Sequence, residues 1–102
     1  MVKKAKPVVV WSNSASHYFR KAYDYIHKES EPNAQKVRAG IIRTIDELVD
    51  NPERHPPDKF KKNNSGNYRA FEKFSFRITY KLSETEILIL RVRHVKQEPK
   101  EY

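Results

Sequence analysis

The stretch that most constrains this chain runs from Tyr68 to His94. From Phe74 the residues alternate: Phe74, Phe76, Ile78, Tyr80 and Leu82 fall on one side, Ser75, Arg77, Thr79 and Lys81 on the other. A period of two built from aromatic and β-branched residues predicts a strand with one buried face. Ile87 to Leu90 is apolar at every position, which predicts a more central strand. Ser83-Glu84-Thr85 between them leaves room only for a hairpin, and without Asn-Gly or Asp-Gly the turn type stays open. Register decides the chemistry. A two-residue turn at Glu84-Thr85 sets Arg77 opposite Val92 and Ser75 opposite His94, so that Arg77 and His94 share a face as diagonal neighbours, about 7–8 Å apart at the backbone. A three-residue turn instead sets His94 beside Phe74 and Phe76.

Ahead of this hairpin, Val8 to Trp11 reads as a short strand and Ser12-Asn13-Ser14 as a helix start. Ala15, Tyr18, Phe19, Ala22 and Ile26 recur at helical spacing, predicting an amphipathic helix from about Ser14 to Glu29. That spacing makes Tyr18, Phe19, Tyr23 and Tyr25 core and core-edge residues rather than a base-stacking surface. Ser30-Glu31-Pro32-Asn33 interrupts the pattern, with Asn33 the expected N-cap of a second helix. Its stripe is Ala34, Val37, Ile41, Ile45, Leu48 and Val49, and it should end near Asn51, before Pro52. Two helices joined so closely form an antiparallel hairpin, and their apolar stripes need a sheet to cover them. Tyr68 to Lys73 supplies one more strand. The fold class is therefore α+β: a helical hairpin packed on a small, mainly antiparallel β-sheet in the order β-α-α-β-β-β. At 102 residues the chain reads as a single domain over 1–102, with a basic N-terminal arm (1–7) and a polar C-terminal tail (95–102).

Composition narrows the function classes. There are 21 Lys and Arg against 13 Asp and Glu, a net charge of +8, which favours an anionic partner: nucleic acid, ribosome or an acidic protein. There is no cysteine, which excludes disulfides and thiolate chemistry and fits a reducing cytoplasm. No apolar run reaches the about 18 residues of a membrane span, and Val8 to Trp11 is too short for a signal peptide. The 4 histidines (His17, His27, His55 and His94) are scattered without ligand spacing, so no metal or other cofactor is expected. The polar stretch 52–67 carries Lys59, Lys61 and Lys62 and reads either as a functional loop or as a surface linker pinned by Phe60, with His55 and Asp58 in solvent.

Four features in order resemble the RelE/ParE superfamily of toxins from bacterial type II toxin–antitoxin modules. Trp11-Ser12 precedes the first helix. Tyr25-Ile26 lies near its end, and Asn33-Ala34 opens the second. Phe76-Arg77-Ile78-Thr79-Tyr80 is similar to the superfamily's Tyr-Arg-aliphatic-X-Tyr strand, with Phe for the first aromatic. Ile87 to His94 is similar to its aliphatic last strand, which ends in His in many members. The resemblance covers nearly the whole chain and implies one of two activities on one fold. RelE-like members are ribosome-dependent endoribonucleases that cut mRNA in the A site. ParE-like members inhibit DNA gyrase by protein–protein binding without cutting RNA. Either activity implies a cognate acidic antitoxin.

The expected reading is the RelE-like one, a metal-independent mRNA endoribonuclease that arrests translation, with the gyrase inhibitor as the alternative. Cutting RNA through its 2′-hydroxyl needs a base, an acid and positive charge at the phosphorane. The resemblance places Arg77 on the superfamily's phosphate-contacting Arg, with a structural ion pair as its other reading. It places His94 on the acid–base His of YoeB-like members, with a strand-end His as its other reading. Tyr102 and Lys96 keep the separation of the tail Tyr and upstream Arg of RelE-like members, and chance spacing in a loose tail explains them equally. Arg69 and Lys73 fall on the strand that carries basic residues in RNA-cutting relatives. Candidate catalytic residues are thus Arg77, His94 and Tyr102; candidate RNA and phosphate contacts are Arg69, Lys73, Lys96, Lys59, Lys61 and Lys62. No carboxylate matches as the base; Asp58 and Glu72 are loose candidates. The long helical hairpin with Asn33-Ala34 resembles the ParE branch more than compact RelE proteins.

Overall fold

The computed structural model describes residues 6–97 and 101–102. Most of the expected basic arm, residues 1–5, and Glu98, Pro99 and Lys100 of the expected tail lie outside the described residues. The elements follow in the order β1 (Val8–Trp11), α1 (Asn13–Glu29), α2 (Glu31–Glu47), β2 (Tyr68–Lys73), β3 (Phe76–Leu82) and β4 (Glu86–His94). The sheet order is β1-β4-β3-β2, with β1 parallel to β4 and the other two pairs antiparallel. The α+β architecture expected from the periodicities is the one observed.

Both helices start at serines. The Ser12 hydroxyl oxygen accepts from the Ala15 amide at 3.0 Å and caps α1. Ser30, not Asn33, caps α2: its Oγ accepts from the Asn33 amide at 3.2 Å. Asn33 lies inside the first turn, where Pro32 is also tolerated because the first-turn amides have no helical partner. The helices cover one face of the sheet. Ile41, Ile45 and Leu48 meet Ile78, Tyr80, Ile87 and Ile89 in a fully buried core. The Tyr80 hydroxyl donates to the Pro52 carbonyl at 2.9 Å, which satisfies the one polar atom of that side chain.

Two irregularities set which side chains meet. Lys73 pairs with Phe76, so Phe74 and Ser75 form the two-residue turn between β2 and β3, and the strand begins two positions later than its alternation suggests. Both turn residues have positive φ, 51° and 68°. Asn-Gly relaxes such a turn; Phe-Ser bears about 1 kcal/mol or more of strain at each residue. The Phe74 ring lies against Gly40 of α2, and a Cβ on Gly40 would overlap it.

The second irregularity is a β-bulge. At the hairpin end the register is that of the two-residue turn, with Leu82 opposite Ile87 and Tyr80 opposite Ile89. Leu90 is then left unpaired, and beyond it Thr79 faces Arg91, Arg77 faces Arg93 and Phe76 faces His94. The Leu90 carbonyl accepts from the Ser12 hydroxyl at 2.8 Å, so the bulge and the start of α1 satisfy each other. One extra residue flips every later side chain of β4 to the opposite face. His94 therefore lies on the helix side with Phe76, and the expected juxtaposition of Arg77 and His94 does not form.

Candidate functional site

The outer face of the sheet, away from the helices, is organised by Asp58. The segment 52–67 is neither structureless nor a free linker. Pro57 bridges Arg69, the Asp58 amide donates to the Tyr68 carbonyl at 2.8 Å, and Asn64 bonds the Gly66 and Tyr68 amides through its side-chain oxygen. This edge pairing carries Asp58 inward until it is 2% exposed, rather than solvated as its loop context suggests. Its Oδ1 accepts from the Arg77 guanidinium at 2.7 Å and from the Phe60 amide at 3.1 Å. Its Oδ2 accepts from the Tyr102 hydroxyl at 2.5 Å and from the Thr79 hydroxyl at 3.2 Å. Burial pushes the Asp58 carboxyl up, but the bonds from Tyr102, Arg77 and Phe60 outweigh it and hold the group below its ordinary value. Burial, and then the Asp58 carboxylate it faces, push the Tyr102 phenol up, so it stays a donor.

Arg77 is fully engaged at its terminal nitrogens. One meets Asp58, the other donates to Glu72 Oε2 at 2.9 Å, and the guanidinium lies 4.9 Å from the Phe60 ring centre. Its Nε is buried without a partner. Tyr102 is clamped by backbone as well as by its hydroxyl: its amide donates to the Phe60 carbonyl at 3.0 Å and its carbonyl accepts from the Lys62 amide at 2.6 Å. Arg91 lies 4.6 Å from the Tyr102 ring centre. Burial and then the neighbouring Arg93 charge lower the Arg91 pKa, and among the described residues neither Arg91 nor Arg93 forms an ion pair.

The candidate residues divide between two faces. Arg77, Tyr102 and Lys61 meet on the outer face, where the Lys61 ammonium lies 4.7 Å from the Tyr68 ring centre and 5.4 Å from that of Tyr102. Lys59 and Lys62 flank them, Lys59 over the Phe60 ring at 5.2 Å and Lys62 at 3.8 Å from Glu101. Arg69 points elsewhere: it staples the loop from beneath, donating to the carbonyls of Gly66 at 2.9 Å and His55 at 2.7 Å. His94, Lys73 and Lys96 belong to the helix side. The His94 ring packs edge-on against Phe76 at 5.4 Å, and its Nδ1 accepts from the Lys96 amide at 3.1 Å. The Lys73 ammonium lies 5.7 Å from the Phe74 ring centre. His55, expected in solvent, packs on Phe71 at 4.9 Å, and burial followed by the Arg54 charge lowers its pKa.

Asp58, a loose candidate for the base, is instead the buried acceptor at the centre of the site, and Thr79, Arg91 and Arg93 are the site members that the sequence reading missed. Among the described residues, the outer face thus offers a neutralised arginine, a protonated phenol and two arginines without an ion pair. That arrangement can attract an anion, but among the described residues it presents no free base or acid beside Arg77. Among the described residues no cluster of His, Asp and Glu could hold a metal ion.

Comparison with known proteins agrees with the fold. A chain of the chromosomal ParDE TA system from P. aeruginosa superposes with a TM-score of 0.68 at 18% identity, over 87% of this chain and 96% of that one. No curated protein matches the sequence. The model of the ParE toxin of the type II toxin–antitoxin system, parDE, matches residues 9–99. The match takes in every element from β1, of which it omits Val8, to β4, and the chain belongs to the ParE toxin family.

Proposed function

We propose that this chain is a toxin that inhibits DNA gyrase by docking on it in the cytoplasm, held inactive by a cognate acidic antitoxin, and that it does not cut mRNA. One observation carries the reading. Arg77, the residue that would hold a scissile phosphate, is neutralised by Asp58 and Glu72, while His94 lies on the opposite face of the sheet. A ribonuclease centre needs positive charge, base and acid around one phosphate. Bringing His94 to Arg77 would require removing the bulge at Leu90, and with it the bond from the Ser12 hydroxyl to the Leu90 carbonyl. Membership of the ParE family supports the same choice, because ParE-like members act on gyrase.

The test pairs two assays on the purified chain. Gyrase supercoiling should be inhibited at micromolar protein. A translation reaction should proceed with its mRNA intact by primer extension. His94→Ala should leave gyrase inhibition unchanged. Cuts confined to ribosome-occupied codons, lost in His94→Ala, would overturn the proposal and establish the RelE-like reading.

A further inference from the structure

Two open grooves flank α1 on the helix side. One, of about 470 Å³, runs between α1, α2 and the turn joining β2 to β3, where Phe74 is 38% exposed and Tyr25 69% exposed. The other, of about 340 Å³, lies between Trp11 at the end of β1 and Arg38 and Ile42 of α2. Helical spacing sets them on opposite flanks of α1: Lys21 and Tyr25 line the first, Ser16, Arg20 and Tyr23 the second.

Packing within the chain leaves the second flank unfinished. Ala15 is the one residue of α1 that is buried, whereas α2 buries Ala34, Val37, Ile41, Thr44 and Ile45. The chain's single tryptophan stands here. Trp11 and Phe19 stack at 5.3 Å with 16° between their rings, and Tyr23 extends the row, yet all three stay half-buried. No carboxylate lines the groove. Arg20 and Arg38 do, both exposed, and among the described residues neither forms an ion pair, although Asp24 stands one turn from Arg20. Trp, Tyr and Arg carry most of the binding energy of protein interfaces. This groove collects all three, whereas the Phe74 groove is lined by neither Trp nor Arg.

We propose that the groove at Trp11, Phe19 and Tyr23 is the surface that docks on gyrase, where it takes an acidic segment of the enzyme, with an apolar side chain against the aromatic row and carboxylates on Arg20 and Arg38. The inference rests on the reading of the chain as a gyrase inhibitor that acts by docking. The occupant follows from the lining: half-buried rings select an apolar anchor, and arginines with no carboxylate among them select acidic flanks. A second copy of the chain is disfavoured, because it would bring the same arginines and a net charge of +8 against each other.

The test uses the full chain with purified gyrase and with the purified cognate antitoxin, reading affinity by calorimetry, inhibition by supercoiling and stability by thermal melting. Arg20→Glu with Arg38→Glu should weaken gyrase binding and inhibition about 30-fold or more, with Tm within about 3 °C of wild type. Tyr23→Ala should weaken both about 10-fold. Lys28→Glu with Lys36→Glu makes the same change in net charge at exposed helix positions outside the groove, and should leave gyrase affinity within about 2-fold at physiological salt. Unchanged gyrase affinity in the groove variants, with the wild type binding, would overturn the groove and leave the gyrase reading intact. An equal loss in the Lys28 and Lys36 variant would also overturn the groove, in favour of net charge alone. Absence of binding and inhibition by the wild type would overturn both readings. Groove variants that lose the antitoxin and keep gyrase would overturn the occupant.

Discussion

The outer face at Asp58 and the groove at Phe74 lie on opposite sides of the same sheet and follow opposite rules. At Asp58, four polar groups from three parts of the chain converge on one carboxylate, and each finds a partner there. At Phe74, two unfavourable backbone choices hold a large ring in view of solvent. The hub of the first region closes on itself: the charges of Asp58 and Arg77 are spent within the chain, which locks the segment 52–67 and Tyr102 to the sheet and leaves Arg91 and Arg93 without an ion pair among the described residues. The second is left open, with its interactions unmade. A surface whose groups are already satisfied has little to offer a partner, and a surface held under strain gains most when a partner covers it. The difference locates the fold's stability on one face and its capacity for recognition on the other.

The largest effect should come from Asp58→Ala. It strands Arg77, whose side chain is 17% exposed, with Glu72 as its remaining acid, and it leaves Thr79 and Tyr102 without their acceptor. Breaking a buried pair from one side costs about 3–5 kcal/mol, readable in urea unfolding. A loss below about 1 kcal/mol would break the comparison by showing that the hub does not hold this face. Next is Tyr102→Phe, which deletes one hydrogen bond to a charged acceptor and keeps the backbone clamp. It should cost about 1.5 kcal/mol, with faster amide exchange at Phe60 and Lys62. The relaxed turn at Phe74 and Ser75 carries the opposite sign, a gain of about 1 kcal/mol in the free chain. Loss on both faces would erase the contrast.

How much of this was legible depended on the range of each interaction. The helical stripes, the strand alternation and the element order are local patterns, and Ile41, Ile45, Ile78 and Ile87 are buried as their periodicities require. The bulge was legible too, by a stricter rule. Ile87 and Ile89 keep one parity, and Val92, three positions after Ile89, must also face the core to meet Ile78. Only an extra residue between them reconciles the two, and strict alternation instead set Val92 beside Arg77. Arg69 shares its parity with Phe71, which places it on the inner side rather than among phosphate contacts. The turn at Phe74-Ser75 gave no signal, because neither residue belongs to the usual turn chemistry. Asp58 gave none either: Arg77 and Tyr102 lie 19 and 44 residues away, and nothing local in a Pro- and Lys-rich segment marks its burial.

The smallest effects are in pH, and they sharpen the contrast between a satisfied group and a trapped one. Asp58 has a folded pKa below its unfolded value of about 3.9, so its contribution is complete above that pH and is lost as pH falls through the folded pKa. His55 is also lowered, but by burial against Phe71 and Tyr80 and then by the Arg54 charge, with Nε2 buried and unpartnered. Below its unfolded pKa of about 6.5 the unfolded chain binds a proton that the folded chain resists, so stability declines as pH falls through that window. The acid limb of a Tm-against-pH curve should therefore have two steps. Asp58→Asn should remove the lower step and leave the upper one, and His55→Gln should do the reverse. Phe74→Asn with Ser75→Gly should shift the whole curve upward and leave both steps in place, because the groove residue it changes carries no titrating group. A step lost in that variant would mean that the two faces are coupled through β3, and that the strain at the turn is shared with the hub it was contrasted against.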